Sequence, residues 1–233
     1  MAVSQRDRLQ RELSECHRQA ERLDSPGFPR AALSSLQHFQ RQRLATSYAD
    51  LAAQERYAAA IDFFLAELYG GRSVRERDQQ VQQVLPVMRR MLPPRLQGVL
   101  ADAFRLQAMS LRLDIALAEV LQDRGAIPVD LAGYSEFYAT VPQAQREEQI
   151  ALIEGLAFAL DRSVRKPLVL TLMSAMRKPA RAAGFGALQQ FLERGLRAFR
   201  AMGGADEFAA IIVRRETRAM QRLYAQHPRP FDP

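Results

Sequence analysis

The chain has 233 residues, a net charge of +7, a sequence pI of about 10.1 and one cysteine, Cys16. A hydrophobic fraction of 48% with 25% charged residues excludes a disordered composition. A lone cysteine excludes an intramolecular disulfide, and the longest apolar run, Leu168–Met176, is far short of a membrane span. With no apolar signal core at the N-terminus, the expectation is a cytoplasmic, non-membrane protein.

Helix signals run the length of the chain, and alternating strand patterns are missing. Ser4, with Asp7 three residues on, opens a first helix. Its stripe is Leu9, Leu13, Cys16, Ala20 and Leu23. This short amphipathic helix, residues 1–24, reads as an arm that packs on the body or on another chain. Residues 25–233 read as one helical bundle domain. Asp24 through Pro29 ends the arm, because Pro26, Gly27 and Pro29 cannot continue a helix.

The second helix is expected over about Arg30–Leu51 and the third over about Gln54–Tyr69, stopped at Gly70 and Gly71. Ser73 and Glu76 form a capping box for a fourth, to about Leu92, interrupted at Pro86. The fifth, about Arg95–Asp123, is apolar on several faces and should be the central one. A short aromatic segment with Tyr134, Phe137 and Tyr138 follows. Then come helices over about Pro142–Arg165, Lys166–Ala183, Leu188–Met202 and Asp206–Gln226. The fold class is all-α, a single multi-helix bundle of about eight or nine helices.

Charge is distributed unevenly. Residues 96–160 carry four Arg against nine Asp and Glu, whereas residues 161–222 carry thirteen Arg and Lys against five. Arginine dominates, and Lys166 and Lys178 are the two lysines.

One segment carries a resemblance. Phe63-Phe64-Leu65-Ala66-Glu67-Leu68-Tyr69-Gly70 precedes Arg77-Asp78 and Val84-Leu85-Pro86-Val87-Met88. This pattern resembles a family of uncharacterised bacterial proteins marked by an FFL-x-[DE]-LYG motif. The resemblance covers residues 44–92 best and implies a helical, intracellular bacterial protein without a known activity. Read from the residues themselves, Phe63, Phe64 and Leu68 are core anchors, and Tyr69 can bury its ring while directing its hydroxyl at a partner.

Catalytic constellations are largely missing. No Glu-x-x-His pair occurs, and His17, His38 and His227 have no second His or Cys at ligand spacing, so no metal and no cofactor are expected. Neither a nucleophile elbow nor a phosphate-binding Gly-Lys-Ser/Thr loop is present. Glu147-Glu148 and Asp206-Glu207 fall in first turns of helices, where the macrodipole favours acids.

Three functional readings follow. The leading one is a non-enzymatic binding protein that engages a protein partner or itself. The second is a small-molecule-binding bundle, possibly an enzyme, with a site near Tyr48, Asp62, Glu67, Tyr69 and Arg77. The third is nucleic-acid binding through C-terminal arginine stripes. Arg181 precedes a helix start, Arg194 and Arg197 share a helix face, and Arg214 and Arg218 stand one turn apart. No nucleic-acid-binding motif supports the third.

Overall fold

A computed structural model describes residues 4–68, 94–184 and 186–232. The described residues form eleven helices and no strand. They are α1 (Gln5–Arg22), α2 (Arg30–Ser47), α3 (Ala49–Ala52), α4 (Glu55–Leu68), α5 (Pro94–Asp123) and α6 (Leu131–Tyr138). They continue with α7 (Gln143–Val164), α8 (Pro167–Ala175), α9 (Arg177–Ala182), α10 (Gly186–Ala201) and α11 (Asp206–Tyr224). The fold is all-α.

Two expected helices are each divided. The second stops at Ser47, because Tyr48 leaves helical geometry (φ −119°, ψ 16°) before α3 begins. The stretch over Lys166–Ala183 bends at Met176 into α8 and α9. The aromatic segment around Tyr134 is itself a helix, capped by the Asp130 side chain, which accepts from the Gly133 N–H. The expected fourth helix, with its capping box at Ser73 and its interruption at Pro86, lies outside the described residues, as does the glycine stop at Gly70.

α1 lies along α5 and runs parallel to it. Gln5 approaches Gly98, Arg8 pairs with Asp102, and Arg22 pairs with Glu119 at 2.8 Å. The stripe Leu9, Leu13 and Cys16 is buried there, at 0%, 5% and 1% exposure. The apolar face of the N-terminal helix is therefore committed to the chain's own longest helix.

Two large apolar cores and a smaller cluster of Met109, Leu113 and Val141 occur among the described residues. One gathers Leu51, Tyr57, Ile61, Phe199, Met202 and Phe208 from α3, α4 and the α10–α11 turn. Phe63 and Phe64 pack against it. Phe64 stacks on Phe208 with centroids 6.1 Å apart, and Phe63 meets Phe191 at 5.3 Å. That packing dictates Gly195, since a Cβ there would lie 2.8 Å from the Phe63 ring. The aromatic pair of the FFLAELYG segment thus serves the core. The second core gathers Leu36, Leu117, Leu121, Tyr134, Met220 and Leu223 from α2, α5, α6 and α11. The C-terminal tail closes it: Phe231 packs on Phe39 and Tyr134, and the Arg43 guanidinium sits 5.1 Å from its ring centre.

Burying α1 on α5 gives it a measurable weight. Leu9→Ala should lower the unfolding free energy by about 2–5 kcal/mol in urea titration, the usual loss for a fully buried leucine. A loss within 0.5 kcal/mol, typical of an exposed site, would mean α1 is dispensable to the bundle.

Candidate functional site

Between the two cores lies a layer of charged and polar side chains. Tyr48, the first of the sequence-predicted pocket residues, leads into it. Its hydroxyl donates to Glu216 Oε1 at 2.7 Å. Arg43 donates to both oxygens of the same carboxylate, at 2.7 and 2.8 Å. A planar guanidinium matched to a carboxylate in this way is the strongest kind of ion-pair geometry. Burial pushes the Glu216 carboxyl up, but Arg43 and the Tyr48 hydroxyl outweigh it and hold the group below the usual range. Burial and the Glu216 charge together push the Tyr48 phenol far up, so it stays a donor.

Gln40, one turn before Arg43, extends the layer. Its Nε2 donates to Asp114 Oδ1 at 3.1 Å. Asp114 interrupts an apolar run on α5, between Leu113 and Ile115. It keeps partial exposure, yet the surrounding protein pushes its carboxyl up from 3.8 to about 6; the Gln40 hydrogen bond and the Arg146 charge offset part of this. Arg146, on the first turns of α7, is 4% exposed. Its guanidinium lies over the Tyr138 ring, 4.6 Å from the centre, and Nη1 reaches Gln149 at 3.4 Å. Its Nε and Nη2 are buried and lack a hydrogen-bond acceptor among the described residues. Arg43, Arg146, Asp114 and Glu216 all act on Tyr134, whose phenol burial pushes up.

Of the other predicted pocket residues, Asp62 is not drawn into this layer. Asp62 is exposed on α4, and Glu67 falls in the last turn of that helix. Tyr69 and Arg77 lie outside the described residues. Sequence reasoning missed Gln40, Arg43, Asp114, Arg146 and Glu216. Two of them carried a signal: a single acid inside the apolar run of α5, and an arginine near the positive end of the α7 dipole, where a cation is disfavoured.

The predicted anion-binding arginines occupy separate places. Arg197 pairs with Glu193 at 2.7 Å, and Arg194 is exposed beside it on α10. Glu193, buried among Arg177, Gln189 and Arg197, is held down to about 2, chiefly by the Arg177 hydrogen bonds against the opposing effect of burial. Arg214 and Arg218 are exposed on α11. α10 packs on α4 and α7, whereas α11 packs on α7 and α6, and the two helices meet at their turn rather than side by side. Arg181 is exposed on α9.

α8 and α9 present a different surface. Leu168 is 78% exposed and Leu172 48%, the largest exposures among the described bulky apolar residues. Met176, at ψ −9°, lies at the bend between α8 and α9, and Ala180 N–H donates to its carbonyl at 2.8 Å. Leu168, Leu172, Ala175, Pro179 and Ala182 are all exposed. At 100° per residue Leu168, Leu172 and Ala175 fall within about 60° of one another on α8, and Pro179 and Ala182 within about 60° on α9. The opposite face holds the helices to α10, through Ala180 and the Met173 carbonyl, which accepts from Gln189 Nε2 at 3.0 Å. Among the described residues no group of three or more His, Cys, Asp or Glu could hold a metal ion. No described helix is long and apolar enough to cross a membrane.

The Asp114 environment sets a pH signature. Its folded-state pKa is raised, so its contribution favours folding at low pH and is lost as pH rises from 3.8 to about 6. Asp114→Asn, which cannot charge, should gain stability relative to wild type across that window and hold a constant advantage above it. Thermal melts of both proteins from pH 4 to 8 check this; parallel curves would contradict it.

No curated protein and no solved structure matches the chain. A family model described as a domain of unknown function (DUF8198) matches residues 17–230, from the second half of α1 to the C-terminal tail, and the chain belongs to that family.

Proposed function

We propose that the protein is a non-enzymatic interaction protein that docks an acidic amphipathic helix of another protein on the α8–α9 surface. One observation carries the reading: the exposed apolar residues of α8 and α9, led by Leu168 and Leu172 and followed by Ala175, Pro179 and Ala182. Large contiguous apolar patches are costly on a free surface and mark sites of association. α1, the other amphipathic helix, has its stripe buried on α5 and is not free to serve.

Charge selects the partner. Residues 163–192 contain five cations, Arg165, Lys166, Arg177, Lys178 and Arg181, and no carboxylate. Lys166, Lys178 and Arg181 are exposed, with no ion pair among the described residues. An apolar face edged by cations fits a helix with apolar residues on one side and acids along its margins. The same charge disfavours a second copy of this strongly basic chain on that face.

In-cell photo-crosslinking from position 175 tests the reading, with the attachment sites mapped by mass spectrometry. The expected product joins Ala175's position to an acidic helical segment of a different protein. It should vanish when Leu168 and Leu172 are both changed to Asp, while that variant melts within a degree or two of wild type because both side chains are exposed. Crosslinks confined to a second copy, to nucleic acid, or no more frequent than those from exposed Glu136 would overturn it.

A further inference from the structure

The buried guanidinium of Arg146 is unspent. Its Nη1 contact to Gln149 is long, at 3.4 Å, and its Nε and Nη2, the edge that grips a carboxylate side-on, meet no acceptor among the described residues. Buried donors without acceptors are rare in native proteins, and each calls for a physical account. Here the side chain is 4% exposed and lies on the face of Tyr138, which fixes the plane of the fork.

The charges around it do not already satisfy it. Arg43 and Glu216 cancel within their own bidentate pair. That leaves Arg146 and Asp114, whose carboxylate lies beyond ion-pair distance from it, since no pair between them falls within 4.0 Å among the described residues. Asp114, like Arg43 and Glu216, keeps partial exposure. Arg146 with Asp114 protonated presents one net positive charge; with Asp114 ionised, none.

We infer that the Arg146 fork binds one small monoanion of the carboxylate class, together with one proton retained on Asp114. Nε and Nη2 would donate to the two anion oxygens, as in other guanidinium–carboxylate pairs. The protonated Asp114 keeps the layer neutral and removes a like charge that would repel the anion. Gln40 from α2 and Arg146 from α7 act on Asp114, and Arg43, Arg146, Asp114 and Glu216 all act on Tyr134 of α6. α1 lies on the opposite side of α5. The inference is independent of the α8–α9 surface and uses none of its residues.

Proton-linked binding gives it a distinct readout. Titration calorimetry with formate and acetate, in buffers of different ionisation enthalpy, should show one anion bound and about one proton taken up above pH 6. Affinity should weaken about tenfold per pH unit above that point and level off below it. Asp114→Asn should bind with the affinity that wild type reaches at low pH, without proton uptake and without pH dependence. Arg146→Met should lose binding. If that variant does not fold, the Asp114→Asn comparison decides the matter. No saturable binding of either anion to wild type and to Asp114→Asn, or binding with unchanged pH dependence in Asp114→Asn, would overturn the inference. So would a high-resolution structure in formate showing only water at the fork.

Discussion

Glu216 receives two hydrogen bonds from Arg43 and a third from Tyr48, inside a bundle whose surroundings offer little water to replace them. Removing any one donor would leave a buried carboxylate short of partners, which costs far more than an exposed ion pair contributes. This constraint ties α11 to α2 through their side chains. It also accounts for the interruption at Tyr48, where the chain leaves helical geometry and its hydroxyl reaches the carboxylate. Arg215, the residue before Glu216, brackets the same break, donating to the Ser47 carbonyl and to both oxygens of Asp50.

The layer separates two cores of different character. On one side the FFL aromatics interlock with Phe191, Phe199 and Phe208; on the other, leucines and tyrosines close around the C-terminal Phe231. Polar chemistry is concentrated between them, away from the surface, while α8 and α9 turn apolar side chains outward. The two features suit different tasks. The outward face offers area for a macromolecule, and the internal layer offers the buried Nε and Nη2 donors of Arg146.

The helical class, the long α5, the N-cap of α1 and the turn at Gly203 were legible because each rests on local signals: periodicity, a serine with an acid three residues later, a glycine at positive φ. The packing role of Phe63 and Phe64 was legible for the same reason. The breaks at Tyr48 and Met176 were not: neither residue is itself a breaker, and at Met176 the nearest local cause is Pro179, three residues on, which has no N–H to offer the preceding turn. The internal layer was less legible still. Gln40, Arg43, Asp114, Arg146 and Glu216 come from four helices far apart in sequence, and Gln40, Arg43 and Glu216 each resemble a solvated surface residue. The expected pocket was drawn around Tyr48 by proximity in sequence to the FFLAELYG segment, yet Tyr48 points to a carboxylate 168 residues away.

The account turns on the claim that Arg43 and Glu216 act as one unit that locks α2 to α11. A double-mutant cycle measures it directly, with Arg43→Met, Glu216→Gln and the pair combined, each followed by urea unfolding. The prediction is strong coupling, about 2–3 kcal/mol, with the double variant more stable than the two single losses summed. Losses that add to within 0.5 kcal/mol would contradict it and make the pair two independent surface charges.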